Sequence, residues 1–432
     1  MSRGRYEAPK QGISLVALLW IIVALLVVAA LVWGGWRLLS DRNQELDAED
    51  WEQPSTEPST QAPPETEPPE PTEPPVQEPQ LTEAEKQALE ILATMTQEEK
   101  VYQLFMVTPE QLTGWGGTVT VTGETSRNAI ASKPVGGIIY FSPNLETREQ
   151  TISMISGLQE ASKLGLFISV DEEGGPVVRI ADNPNMGTTY FPAMGKISGV
   201  EKAYEVGAVT GAEIKELGFN LDFAPVADVF SNPNNKVIGN RAFSSDPKIA
   251  AQLVEACTKG FRDSGVLCTL KHFPGHGDTG TDSHYGAAES NKTLEELEAC
   301  EFLPFKAGIA AGANVVMMGH VTLPNVTQED LPATLSHEIV TGILREKLGY
   351  EGLVITDAMN MGAITNHYSS GEAAVLALNA GVDMILMPND LNDAVKGVLK
   401  ALEEGKLTQE QLDEKVLRIL QIKIEAGIIK AE

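Results

Sequence analysis

From Leu81 onward the apolar residues fall into short runs separated by stretches of helical period, the pattern of repeated βα units on a parallel sheet. The runs are Gln103–Val107, Gly137–Phe141, Leu166–Val170, Leu221–Ala224, Val266–Leu270, Asn314–Met318, Leu353–Thr356 and Met384–Met387. Helices are expected over Thr147–Lys163, Glu201–Leu217, Asp246–Ser264, Leu294–Ala311 and Ser336–Lys347, several entered by a Thr, Asp or Ser able to cap them. Eight strands alternating with helices in this length predict an α/β fold, a (β/α)8 TIM barrel forming a single catalytic domain over residues 81–432. A doubly wound open sheet is the alternative. The polar residues favour the barrel, because Asp171, Asp228, Lys271 with His272, His320, Asp357 and Asn389 each follow a strand run. Such strand ends converge on one mouth in a barrel, although any one of these residues taken alone reads better as a loop or helix cap.

The pattern before Leu81 is different. Between Lys10 and Arg37 lie 26 uncharged, mostly apolar residues, enough at about 1.5 Å per residue to cross a hydrocarbon core of about 30 Å. Residues 12–36 are therefore expected to be a transmembrane signal anchor, with residues 1–11 in the cytoplasm because Arg3, Arg5 and Lys10 precede the run against one acid, Glu7. A cleaved signal peptide is the competing reading, but the apolar run exceeds the usual h-region and Trp33 and Trp36 sit where an interfacial belt belongs. Residues 37–80 form an acidic Pro/Glu/Thr-rich linker, too poor in apolar residues to build a core. In polyproline II form its stretch from Gln53 to Pro79 would reach about 80 Å. The expected location is a single-pass cell-membrane protein with its catalytic domain outside the cell.

Charge narrows the partners. Residues 1–40 carry +3, residues 41–80 carry −11, and −20 of the formal −28 belongs to residues 81–432. So acidic a body argues against nucleic acid or an anionic lipid surface as its main partner and leaves neutral ligands open. Cys257, Cys268 and Cys300 have no zinc or redox spacing and read as buried thiols, one disulfide being the alternative.

The densest chemistry is KHFPGHGDTGTDSH, Lys271–His284, which holds three of the six histidines. His272 and His276 stand at i, i+4, with Asp278, Asp282 and His284 as possible further metal ligands, but Pro274, Gly275, Gly277 and Gly280 remove the helix that would give this spacing its meaning. The proton-transfer reading uses Asp282 and His284, which point to the same side of an extended segment, so the carboxylate orients the imidazole and favours its charged form. Asp357, in LVITDAMNM, follows a wholly apolar strand and is placed as a carboxylate nucleophile or as a helix N-cap. Neither a nucleophile elbow nor a phosphate-binding loop occurs in the body.

Six motifs carry a resemblance: PVGGIIYF at 134–141, VDEEGGPVVR at 170–179, NLDFAPVAD at 220–228, IGNRAFSSDP at 238–247, KHFPGHGDTGTDSH at 271–284 and ITDAMNM at 355–361. In this order they resemble glycoside hydrolase family 3, in its bacterial β-N-acetylglucosaminidase (β-hexosaminidase) branch. The resemblance implies Asp357 as nucleophile, His284 as acid/base and Asp282 as its dyad partner, with Asp171, Arg179, Arg241, Lys271 and His272 binding N-acetylglucosamine; no cofactor and no metal is implied. Pro176 departs from it, standing where the family commonly has Arg after EGG. The implied activity is retaining exo-hydrolysis of terminal β-linked N-acetylglucosamine from peptidoglycan fragments or related glycans, with muropeptides as the expected carbohydrate partner and the membrane as partner of the N-terminal helix. Phosphorolysis by the same residues, a metal-dependent hydrolase on His272, His276 and His284, and a non-catalytic wall-binding domain are the alternatives.

Overall fold

The computed structural model describes residues 81–280, 286 and 288–430. The expected anchor, the linker, Asp282 and His284 all lie outside these residues. Among the described residues no helix is long and apolar enough to cross a membrane.

Eight parallel strands form the centre: β1 Phe105–Val107, β2 Gly137–Ile139, β3 Phe167–Val170, β4 Leu221–Asp222, β5 Leu267–Phe273, β6 Val315–Met318, β7 Leu353–Thr356 and β8 Ile385–Leu386. Each pairs with its neighbour in chain order, and β8 returns to β1 through Phe105 opposite Ile385. The seam between β7 and β8 is the thinnest, one parallel bridge between Ile355 and Met384, so the ring is nearly closed. All eight apolar runs contain a strand, as expected for segments buried on both faces. β5 runs three residues past its apolar run, through Lys271, His272 and Phe273, with a register shift against β6 between Leu270 and Phe273. The first residues of the histidine-rich stretch are thus strand, where a loop was expected.

Crossover helices cover the ring, one after each strand: α1 Glu124–Ser132, α2 Arg148–Ala161, α3 Val200–Glu216, α4 Pro247–Ser264, α5 Phe302–Ala310, α6 Glu338–Lys347, α7 Ser370–Ala380 and α8 Leu391–Glu403. Asp246 caps α4 with Pro247 in its first turn, and Thr147, Ser369 and Asp390 cap α2, α7 and α8. α3 and α4 touch through glycines: a Cβ on Gly207 would lie 2.2 Å from the Cys257 carbonyl oxygen, and one on Gly260 2.2 Å from that of Tyr204. The continuous helix expected over Leu294–Ala311 is broken at Cys300 and Glu301 into Leu294–Ala299 and α5. Pro304 accounts for the break, because in a continuous helix its ring would clash with the Cys300 carbonyl four residues back and it has no N–H to donate there. The buried Glu301 carboxylate, at the start of the new helix, accepts from Lys292 and from Ser231 at 2.9 Å. All three cysteines are free thiols; Cys257 and Cys268 are buried and Cys300 is half-buried.

At the barrel floor, α9, Gln409–Glu425, reaches under the seam. The buried Asp383, just before β8, accepts the Val354 amide at 2.8 Å and pairs with Arg345 of α6 and Arg418 of α9 at 2.5 Å each. Few backbone bonds join β7 to β8, and this carboxylate supplies part of what they leave out.

Candidate active site

The ends of β3, β4, β5 and β7 bring the polar residues together. After β3 the chain makes a two-residue turn in which the Glu173 amide donates to the Val177 carbonyl at 2.9 Å. Gly174 and Gly175 hold φ of 92° and 62°, which residues with a Cβ rarely adopt. The Glu172 carboxylate points back into this loop and accepts the amides of Arg179 and Ile180 at 2.8 Å and of Ala181 at 3.0 Å. That brace returns Arg179 to the mouth, its guanidinium 3.8 Å from Asp171 and 5.5 Å from the centre of the Phe141 ring.

Lys271, buried near the end of β5, holds Asp171 at 2.7 Å and Glu173 at 2.6 Å. Arg241, from the loop after β4, donates through Nε and Nη2 to the two oxygens of Glu173 at 2.9 and 2.8 Å. The order Arg179, Asp171, Lys271, Glu173, Arg241 alternates base and acid along one network. Burial alone would lower the Lys271 pKa, but Asp171 and Glu173 outweigh it and hold the ammonium above its usual value. Burial likewise pushes Glu173 up, yet the cations of Arg241 and Lys271 win and keep its carboxyl far below the usual range.

His272 branches from the same strand towards β4. Its Nδ1 lies 2.7 Å from Asp228 Oδ2, while Asp228 Oδ1 accepts the amides of His272 at 3.2 Å and His276 at 2.6 Å. His276 turns its own Nδ1 to the Thr279 hydroxyl at 2.8 Å, and the two imidazole centres stand 6.0 Å apart. The chain leaves β5 here, so the i, i+4 pair is on no helix and each Nδ1 faces a protein oxygen.

Asp357 follows β7 at the mouth, half-buried, its amide donating to the Met318 carbonyl at 2.8 Å and its Oδ1 accepting the Ala358 amide at 2.7 Å. Burial raises its pKa, but His272, His320, the Ala358 amide and Lys271 together bring the carboxyl below its ordinary value. His320 is buried beside it, with Nε2 3.1 Å from the Ala358 carbonyl and Nδ1 2.9 Å from the Thr334 hydroxyl. An ionised carboxylate thus faces a buried fan of cations and carboxylates that can donate to and accept from several hydroxyls at once, which suits a polyhydroxylated, uncharged ligand.

The profile of the Glycosyl hydrolase family 3 N terminal domain matches residues 96–422. The chain belongs to glycosyl hydrolase family 3. Within this family it is similar to Beta-hexosaminidase A of Pseudoalteromonas piscicida, 37% identical over an alignment of 327 residues, with 68% of this chain and 54% of the relative covered. It is also similar to a Beta-hexosaminidase of Xylella fastidiosa, 38% identical over 271 residues, 61% of this chain and 80% of the relative. Among solved structures it resembles a glycoside hydrolase family 3 beta-N-acetylglucosaminidase from Paenibacillus sp. str. FPU-7, with a TM-score of 0.73 and 38% identity, over 78% of this chain and 63% of that one. The chain therefore spans a little over half of the first relative and less than two thirds of this structure.

Of the residues expected in the site of this family 3 chain, Asp171, Arg179, Lys271 and Arg241 share the network that Glu173 completes. His272 and Asp357 meet electrostatically, and Asp282 and His284 fall outside the described residues. Asn389, one of the polar residues after a strand, is exposed. Sequence reasoning passed over Glu173 as a site residue and left Asp228 and His320 without a role. Spacing offered a signal for Glu173, which stands at i, i+2 from Asp171, the interval that keeps two side chains on one side of extended chain.

Proposed function

We propose that this chain is a retaining exo-β-N-acetylglucosaminidase that removes terminal β-linked N-acetylglucosamine from peptidoglycan fragments or related glycans. The observation carrying this reading is Asp357, kept ionised at the mouth beside the network that contains Asp171, Arg179, Lys271 and Arg241. In the first step an Asp357 oxygen attacks the anomeric carbon while His284 gives its proton to the departing glycosidic oxygen, so one C–O bond forms as the other breaks. In the second, His284 takes a proton from water, whose oxygen displaces Asp357 and releases the sugar with its original anomeric configuration. Asp282 orients the imidazole in both steps, and Asp171, Arg179, Arg241, Lys271 and His272 hold the sugar. The 26-residue uncharged segment supports placing this reaction at the outer face of a cell membrane, with residues 37–80 as the spacer.

The test is nitrophenol release from an aryl β-N-acetylglucosaminide by the full-length chain, with the product anomer followed by NMR. Asp357→Asn is expected to lower kcat by at least about 10³-fold, and His284→Ala by about 10²- to 10⁴-fold on a poor leaving group. Turnover that survives Asp357→Asn, or an inverted product, sinks the reading.

A further inference from the structure

Asp228 is 1% exposed, sits on the loop after β4, and makes no bond to the Lys271 network, yet its two oxygens meet three donors of the histidine-rich stretch. Oδ1 takes the backbone amides of His272 and His276, so this carboxylate is fixed by main chain and its orientation is not free. Oδ2 faces His272 Nδ1 at 2.7 Å and also takes a share of the His272 amide at 3.3 Å. A carboxylate only accepts, so the proton between them belongs to Nδ1. The ring is thereby turned with its other nitrogen, Nε2, away from Asp228. Of the groups that pull the Asp357 carboxyl down against its burial, the His272 imidazole is the largest, which puts that ring within electrostatic reach of the proposed nucleophile.

We propose that Asp228 is a positioning residue for the reaction: it commits His272 Nδ1–H and so decides that Nε2 meets the sugar and the Asp357 side of the pocket. This rests on the hydrolase reading for its kinetic consequence, but the tautomer is a property of the protein alone. A carboxylate that holds an imidazole by one nitrogen gives the other nitrogen a defined role. Among the described residues the charged and titratable groups facing this pair are Asp357 after β7, His276 on the same loop, Lys271 next in β5, and Arg241 towards Asp228. None of these offers Nδ1 a second acceptor in hydrogen-bond contact.

Asp228→Asn separates this role from simple support. The amide keeps Oδ1 as acceptor for the two main-chain amides and gives up only the longer 3.3 Å share of the His272 amide, while its NH2 now faces Nδ1 and drives the proton to Nε2. In the full-length chain with ¹⁵N-labelled histidine, the resonance lost in His272→Ala identifies His272. It is expected to carry a proton on Nδ1 in the wild type and only on Nε2 in Asp228→Asn. A wild-type His272 whose Nδ1 carries no proton overturns the proposal. Kinetically, Asp228→Asn is expected to lower kcat/KM for an aryl β-N-acetylglucosaminide by about 10- to 100-fold with little change in Tm. In a His272→Ala background the same substitution is expected to cost less than about 3-fold, since its route of action is gone. Equal losses in both backgrounds overturn it, because Asp228 then acts through the fold. A wild type that does not turn over sinks the hydrolase reading instead, and the tautomer then decides this one.

Discussion

Glu173→Gln probes how the mouth is held together. Glu173 is 2% exposed and accepts from Lys271 at 2.6 Å and from Arg241 at 2.9 and 2.8 Å. Glutamine matches it in shape but has one acceptor oxygen, and its NH2 would point at an ammonium or a guanidinium. Lys271 keeps Asp171 at 2.7 Å, so the loss falls on Arg241, whose remaining hydrogen-bond partner among the described residues is the Val237 carbonyl at 3.1 Å. Bonds to charged groups contribute about 1.5–3 kcal/mol each, and removing one member of a buried ion pair costs about 3–5 kcal/mol because the survivor stays desolvated. Losing two such bonds falls in the same range, so Glu173→Gln is expected to lower the unfolding free energy by about 3–5 kcal/mol at pH 7. Because the folded-state pKa of Glu173 is depressed, its contribution is complete above the ordinary glutamate value of about 4.3 and is lost as pH falls from there towards the folded value. Urea unfolding of both proteins at pH 7, 5 and 3.5 should show a gap that is full at the first two and smaller at the last. A gap below about 1 kcal/mol at pH 7 would mean that desolvation cancels the attraction, and a gap that does not shrink on acidification would refute the linkage argument.

Three further outcomes test other parts of the chain. Asp383→Ala takes the buried carboxylate from Arg345, Arg418 and the Val354 amide at the barrel floor, and should cost about 3–5 kcal/mol in urea unfolding while leaving kcat within about 2-fold, since Asp383 lies at the end of the ring opposite the mouth. Lys423 of α9 is fully buried under Phe167, with Gln103 Oε1 at 2.8 Å, and burial pushes its pKa down to about 7. Folding stability should therefore rise between pH 7 and the ordinary lysine value of about 10.4, where the unfolded chain binds the extra proton, and Lys423→Met should remove that slope. Gly260→Ala gains helix propensity of up to about 1 kcal/mol but sets a methyl group against the Tyr204 carbonyl of α3, so a net loss of about 1–3 kcal/mol is expected in the same assay.

Local pattern carried much of the fold. Leu353–Thr356 is both the apolar run and the strand, because a segment buried on both faces needs nothing from its neighbours to look like one. The pattern misled where a proline or a distant partner intervened. Leu294–Ala311 has helical period throughout, yet Pro304 interrupts it, because its ring and missing N–H deny the Cys300 carbonyl a continuing helix bond. Lys271 and His272 read as loop because they are polar, and they are strand because Asp171, Glu173 and Asp228 satisfy them inside the mouth.

What the chain determined by itself was the alternation of strands and helices, the placing of polar residues at strand ends, and the motifs that mark family 3, all of which are set by neighbours a few residues apart. Which oxygen meets which nitrogen was decided only in three dimensions. Lys271 and Asp171 are 100 positions apart, and Lys423 and Gln103 are 320 apart. Periodicity reports which face of an element is apolar, but it carries no record of the element that will lie opposite. Glu173 and Asp228 therefore became legible as parts of the site only when closing the ring set them against Arg241 and His272.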